Sequence, residues 1–436
     1  MTLALISWCI GAAFLTLFLS FFLRHGKIVA AAILIILIPQ VFIRPLIFFA
    51  GLDTPYPYEF FDSSDWDLVA SGLVVATAWI ISFSLTHHFA YRPLMPLGQI
   101  LPQVHGTIDV KVLFLVTLIT TLIGVVLTSM LVLSAGSLMQ FMYQVKIGKE
   151  LAGSYVIREI SVISAVFSVL TILVYEKRYR ARLANGRGRG MVWISAALLI
   201  TNLAFNYLWG NRYNIAMLGV AMGIAWHFHI KPIKLVNIII LVTVVGALLQ
   251  GLKLVRNFAI EEVIGREVIT GHSFWLDIST SLHLNQFDAF MLALRDAGER
   301  FDFRNGKDFV NGLLSWIPRE FYPEKENYHI GGWFRRIYEP NVVNGWPITT
   351  IGTWYVNFGF FGIFIGSVIS GAVVAIFDAA YKNARGSFWQ AMVAPTLGFF
   401  MFDGGVSTGF VQSVFLMLIP IYMLSLVLRM AMKKGG

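Results

Sequence analysis

Apolar windows about 20 residues long recur along the whole chain. They lie at about residues 3–22, 28–50, 68–85, 112–133, 156–174, 191–209, 215–230, 235–251, 350–379, 388–402 and 411–430. A helix of that length satisfies every backbone group internally, so a chain built from such windows crosses lipid rather than closing around one aqueous core. Strand-period alternation is absent, which argues against a β-barrel. The composition agrees, with 57% hydrophobic and 13% charged residues and a mean hydropathy of +0.72. The expected fold is an all-α polytopic membrane protein with about eleven transmembrane helices. Three parts follow: N-terminal transmembrane helices over 1–254, a large loop over 255–348, and C-terminal transmembrane helices over 349–436.

Charge sets the expected orientation. The net charge of +9 concentrates in short loops: Arg24, His25 and Lys27; Lys177, Arg178, Arg180, Arg182, Arg187 and Arg189; Lys231 and Lys234; Lys382 and Arg385; and Arg429, Lys433 and Lys434. With alternating helices these fall on one side, which the positive-inside rule makes cytoplasmic. The same rule accounts for the basic balance without nucleic-acid binding. The loop 51–67 carries Asp53, Glu59, Asp62, Asp65 and Asp67 with no Lys or Arg, as an exterior loop can. The first window lacks a basic leader and a small-residue cleavage site, so it reads as a retained helix. The single cysteine, Cys9, excludes a disulfide framework and a cysteine-based metal site.

The loop 255–348 is then periplasmic and is the one inter-helix segment large enough for a small domain. Phe274, Ile278, Leu282, Phe287, Phe290, Met291 and Leu294 recur at helical spacing, with Asp277, Asp288 and Arg295 on or beside the polar face. This pattern predicts an amphipathic helix in the interface plane. Beyond it the segment is broken by Pro318, Pro323, Pro340 and Pro347. No internal repeat, phosphate loop, GxGxxG or HExxH is present, so neither a nucleotide fold nor a resident metal is expected.

Cations on the exterior side are the stronger chemical signal. Arg212, in a short turn, and Arg256, after the eighth window, sit at the depth of a lipid pyrophosphate, where a guanidinium fork can hold two phosphate oxygens; headgroup snorkelling is the bland account of both. Arg319 and Lys325 lie in a proline- and aromatic-restricted stretch, Trp316 to Lys325. Arg335 and Arg336 are adjacent, so one of the two is a surface charge. Glu320, His329 and Asp403 are the candidate proton carriers, and the residues do not choose between them. Arg44 reads first as a snorkelling anchor and second as a lipid-phosphate contact. Trp316, Trp333, Trp346 and Trp354 can stack on sugars or simply mark the interface.

Three stretches carry a resemblance. Arg212 is followed, across ten intervening residues, by Gly223; Ile317-Pro318-Arg319 is followed by Pro323 and Lys325; and Gly352-Thr353-Trp354-Tyr355-Val356-Asn357-Phe358-Gly359 reads as a re-entry into the membrane. Together with the whole-chain hydropathy and the late loop, they resemble the O-antigen or oligosaccharide repeat-unit polymerases (Wzy-type). Where that family often has an acidic residue after the first glycine of the re-entry, this chain has Thr353.

The resemblance implies a metal-independent C-type glycosyltransferase of the bacterial inner membrane, without cofactor. Its donor would be an undecaprenyl-pyrophosphate-linked chain and its acceptor another lipid-linked unit. Arg212, Arg256, Arg319, Lys325, Arg335 and Tyr355 would hold substrate, and a chain-length regulator protein would be a partner. The alternatives are an O-antigen ligase, or a polysaccharide or lipid transporter.

Overall fold

The computed structural model describes residues 1–51, 60, 62–100, 110–145, 155–180, 188–209, 286–314, 330–340, 345–383 and 405–414, scattered positions within 215–233, and residues 251, 317, 321–322, 324, 419 and 423. In chain order the helices are α1 (Thr2–Arg24), α2 (Ile28–Leu37), a π-helical turn (Ile38–Phe42), α3 (Ile43–Phe49), α4 (Trp66–Ile100), α5 (Val110–Ser134), α6 (Leu138–Tyr143), α7 (Tyr155–Arg180), α8 (Gly188–Leu208), α9 (Gln286–Asp296), α10 (Lys307–Leu313), α11 (Ile330–Tyr338), α12 (Thr350–Asn383) and α13 (Thr408–Ser413). Among the described residues no strand forms; an isolated bridge joins Ala297 and Phe301. The protein is an all-helical polytopic membrane protein. Among the described residues seven helical stretches are long and apolar enough to cross a membrane, and they coincide with the windows at 3–22, 28–50, 68–85, 112–133, 156–174, 191–209 and 350–379. The other four windows fall outside the described residues apart from scattered positions.

The chain forms two compact units. Unit 1 comprises Met1–Leu101, His272–Asn383 and Leu397–Leu418; unit 2 comprises Pro102–Gly271, Ala384–Thr396 and Ile419–Gly436.

In unit 1, α4 packs along α1 and α12. A Cβ on Gly371 would lie 2.6 Å from the Phe83 carbonyl, so α12 approaches α4 backbone to backbone, as small residues allow between membrane helices. Ser367 donates to Ser82 across the same seam at 2.7 Å. The first turn of α2 has no side-chain cap of its own. Its orphan amides are met from α12: Asp378 accepts from Val29 N–H (2.9 Å) and Ala30 N–H (3.2 Å). A carboxylate there also suits the positive end of the helix dipole. The second oxygen of Asp378 faces His87 Nε2 of α4 at 2.8 Å, and both side chains are buried.

Unit 2 holds α5, α7 and α8 around Leu113, Val166, Phe167, Leu170 and Leu173. Among its described residues the buried polar side chains are neutral. Thr117 and Thr171 hydroxyls lie 2.9 Å apart. Asn202 Nδ2 donates to Thr121 Oγ1 (2.8 Å) and Ser168 Oγ (3.2 Å).

Two sequence expectations are corrected. Residues 274–285 of the expected amphipathic helix lie outside the described residues, and the remainder, α9, has no exposed apolar face to lay on an interface. Phe287, Ala289, Phe290, Met291, Leu292 and Ala293 are all fully buried, because small and apolar residues cover nearly its whole circumference. Arg44 is not a snorkelling anchor. It is buried and forks onto Asp288 of α9, with Nε 3.1 Å from both carboxylate oxygens and Nη2 2.9 Å from Oδ2. Its guanidinium also lies over Phe48, 4.7 Å from the ring centroid.

Candidate functional site: the bend at Gly359 and the loop helices around it

The re-entry stretch occupies the first half of α12, and Gly359 breaks that helix at φ 62° and ψ −152°. This region of backbone space belongs almost solely to glycine. Residues 350–358 make a piece about 14 Å long, too short for a hydrocarbon core of about 30 Å, while 360–383 spans about 36 Å. The two pieces fold back on each other. A Cβ on Gly366 would overlap the Trp354 indole, and one on Gly362 would meet the Trp354 carbonyl; in a straight helix residues 354 and 366 would be about 18 Å apart. Trp354 is fixed from a third side by donating its Nε1–H to the Val406 carbonyl (2.8 Å).

A broken helix leaves carbonyls without partners, and at membrane depth each must be satisfied. The segment before α10 does this. Arg304 N–H donates to Val356 O (2.9 Å) and Asn305 N–H to Asn357 O (3.0 Å). The Asn357 side chain completes the clasp: its Oδ1 accepts from Gly306 N–H (3.1 Å), and its Nδ2 donates to Asp308 Oδ2 (3.0 Å) and Thr353 O (2.8 Å). Asp308 in turn pairs with Arg304 Nε at 2.7 Å, and both side chains are buried. Asn305 and Gly306 both take positive φ, 50° and 80°, which turns the chain into α10.

Above the bend, guanidinium groups lie on aromatic faces. Arg304 sits over Trp333 (4.3 Å to the centroid), Arg300 over Tyr338 (4.4 Å) and Arg335 over Trp346 (5.5 Å). Phe60, from the loop after α3, adds a ring 5.3 Å from Tyr338 and 5.9 Å from Trp346, and its carbonyl accepts from Arg295 Nη1 (3.1 Å). Asp296 anchors the group: Tyr338 Oη donates to it at 2.6 Å and Arg295 grips it from Nε (2.6 Å) and Nη2 (3.0 Å). Burial pushes the Asp296 carboxyl up, but the bonds from Arg295 and Tyr338 outweigh it and hold the group below its usual range. Burial, then the bond to Asp296, pushes the Tyr338 phenol far above its usual value. Stacking orients each arginine; the N–H edges of Arg304 and Arg335 also meet Asp308 and Glu339, as guanidinium forks meet carboxylate and phosphate oxygens.

Of the residues singled out by sequence, Arg212, Arg256, Arg319, Glu320, Lys325, His329 and Asp403 lie outside the described residues. Arg335 belongs to the aromatic group, pairing with Glu339 at 2.5 Å. Tyr355 lies at the bend, its Oη 3.5 Å from the Leu294 carbonyl and its ring edge-on to Phe303 and Phe360. Thr353 is buried; Asp308 is linked to this turn through the Asn357 side chain. Sequence reading missed Asp296, Arg300, Arg304, Asp308, Tyr338 and Asn357 as site members. The i,i+4 spacing of Arg304 and Asp308 was a usable signal, while their partners in α11 and α12 were not. Among the described residues no cluster of three or more His, Cys, Asp or Glu side chains is placed to hold a metal ion. In comparisons with known proteins, no family model matches the chain, and no curated protein or solved structure matches it either.

Proposed function

We propose that this protein is a glycosyltransferase that polymerises lipid-pyrophosphate-linked oligosaccharide units at the exterior face of a bacterial inner membrane. The growing chain passes to the incoming lipid-linked unit. The observation that supports this best is the set of arginines stacked on aromatic rings, one of which, Arg304, lies on the segment clasped to the glycine-bent helix. A pyrophosphate leaving group develops charge as the glycosidic bond breaks, and preoriented guanidinium edges stabilise that charge without a metal. The rings beside them are platforms for sugar faces. Arg212, Arg256, Arg319 and Lys325 remain proposed ligands of the same pyrophosphate, and Glu320, His329 and Asp403 the proposed proton carriers.

The test uses the purified chain in proteoliposomes with lipid-linked oligosaccharide. Lengthened chains without added nucleotide sugar are expected. Arg300→Ala should slow extension about tenfold or more, the worth of one charge-assisted contact. No lengthening by the unaltered protein would overturn the reading. Attachment of the glycan to lipid A core instead of to a second lipid-linked unit would replace it with a ligase.

One observation favours a second reading, a transporter of lipid-linked saccharides. His87 and Asp378 form a buried ionisable pair inside the membrane-spanning region, and such pairs mark proton or substrate pathways in many carriers. Movement of labelled lipid-linked saccharide across the bilayer, driven by a pH gradient and lost in His87→Gln, would establish that reading.

A further inference from the structure

The apolar surface of unit 1 does not stop where the spanning helix ends. Phe360 and Phe361, just past the bend, are 65% and 69% exposed, as lipid-facing residues of a membrane helix are. On the other side of the bend the exposure continues in the loop. Phe303 closes on Gly359, its ring atoms 3.5 Å from where a Cβ would stand, and is itself partly exposed. Phe358, 40% exposed, stacks with Phe309 of α10 (6.2 Å), and Gly306 sits against its ring. Val310 and Leu313 of α10 are about half exposed, whereas Asp308 and Gly312, on the opposite side of the same helix, are buried, the first against Asn357 and the second where an added Cβ would stand 3.1 Å from the Thr408 carbonyl. Residues on a soluble loop would not extend an apolar face of this kind without a covering partner.

We propose that α10 is an interfacial anchor, with Val310, Leu313 and Phe303 inserted at the boundary between acyl chains and headgroups, continuous with Phe360 and Phe361. The occupant of this face is the bilayer itself, because the face is an unbroken extension of a surface that already contacts lipid. Lys307, exposed at the start of α10, reaches toward the headgroups, as basic side chains do at that depth. The interface position lost by α9, which is buried, is thus taken by a helix one loop later. The anchor sets the depth of the Gly359 bend and of the Arg304–Asp308–Asn357 clasp. It is independent of the reaction proposed above.

The test is site-directed spin labelling of the full chain in nanodiscs of phosphatidylethanolamine and phosphatidylglycerol. Cys9→Ser removes the native thiol. Single labels are then placed by Val310→Cys, Leu313→Cys and Phe361→Cys, with Glu299→Cys as an exposed loop reference. Labels at 310, 313 and 361 should collide with dissolved oxygen more than with a nickel chelate, and the label at 299 the reverse, by severalfold each way. Labels at 310 and 313 that behave like the one at 299 would overturn the proposal. Spin–spin broadening at 310 would do so too, as the sign of a second copy covering the face, and so would exclusion of both relaxants, as the sign of coverage by the protein's own chain. Folding is checked independently by the label at 361, which must report lipid in every preparation.

Discussion

In the interior of unit 1 carboxylates meet basic side chains: Asp288 faces the Arg44 guanidinium, Asp378 the His87 imidazole, and Asp308 the Arg304 guanidinium. In unit 2 the described buried contacts run between hydroxyls and amides, as from Asn202 to Thr121 and Ser168. Ionised groups are far costlier to remove from water than neutral ones, so each ion pair of unit 1 marks a place where a neutral contact would not serve. Arg44–Asp288 ties the loop helix α9 to the first turn of α3. Asp378 closes the open end of α2. Arg304–Asp308 holds the loop onto the broken helix. Unit 1 spends its buried charge on junctions between unlike elements, whereas unit 2 joins parallel surfaces of like helices, where weak neutral bonds suffice.

The largest expected effect is therefore at Arg44. Removing one member of a buried pair strands the other charge, at a cost of about 3–5 kcal/mol. Arg44→Ala should lower the unfolding free energy of the purified protein in mixed micelles by about that amount. Arg44→Met with Asp288→Leu should restore most of it. If Arg44→Ala loses no more than a neutral contact would, the contrast between the units fails.

Next comes the bend. Gly359→Ala places a Cβ in a conformation costing about 1–3 kcal/mol and loosens the clasp. Hydrogen exchange at the Arg304, Asn305 and Gly306 amides, which end on Val356, Asn357 and the Asn357 side chain, should accelerate at least tenfold. Unchanged protection would mean that the clasp does not depend on the glycine.

A third effect is tied to pH. Lys27, between α1 and α2, lies over the Tyr91 ring. Burial lowers its pKa from 10.5 to about 8, against the pull of nearby Asp378 and with help from Lys382. Between those values the unfolded chain binds more protons than the folded one, so this group makes stability rise with pH from about 8 to 10.5, and its penalty is present in full below 8. Because Lys27 is only half-buried, the rise is modest. Lys27→Met should flatten it, read from unfolding midpoints at pH 7 and pH 10.

Much of this was legible in the chain itself. The apolar windows announced seven of the spans, and the stretch from Gly352 to Gly359 was read as a re-entry, where the structure breaks the helix at Gly359. The contacts that organise the site were not legible. Arg44 and Asp288 are 244 positions apart, and no local pattern distinguishes an arginine that snorkels from one that turns inward to a partner. The buried circumference of α9 was missed because its few charges, Asp288 and Arg295, mimic the polar face of an interfacial helix, when the first is neutralised by α3 and the second by Asp296 and Phe60. The short α10 carries too few residues to show a period.

The smallest expected effect lies in unit 2 and sharpens the comparison from the other side. Asn202 donates to Thr121, to Ser168 and to its own helix at the Leu198 carbonyl (2.9 Å), so it joins α8 to α5 and α7. In a membrane such bonds are worth on average about 0.6 kcal/mol and at most about 1.7, because the separated helices find other partners for the same groups. Asn202→Ala should therefore cost about 1 kcal/mol, several times less than Arg44→Ala. Thr121→Val should cost less again, and a double substitution should show a coupling of about 0.6 kcal/mol between them. The measurement is a double-mutant cycle by denaturant titration in mixed micelles. A coupling of 3 kcal/mol or more would put unit 2 in the same class as the ion pairs of unit 1, and the division of labour between charged junctions and neutral seams would no longer hold.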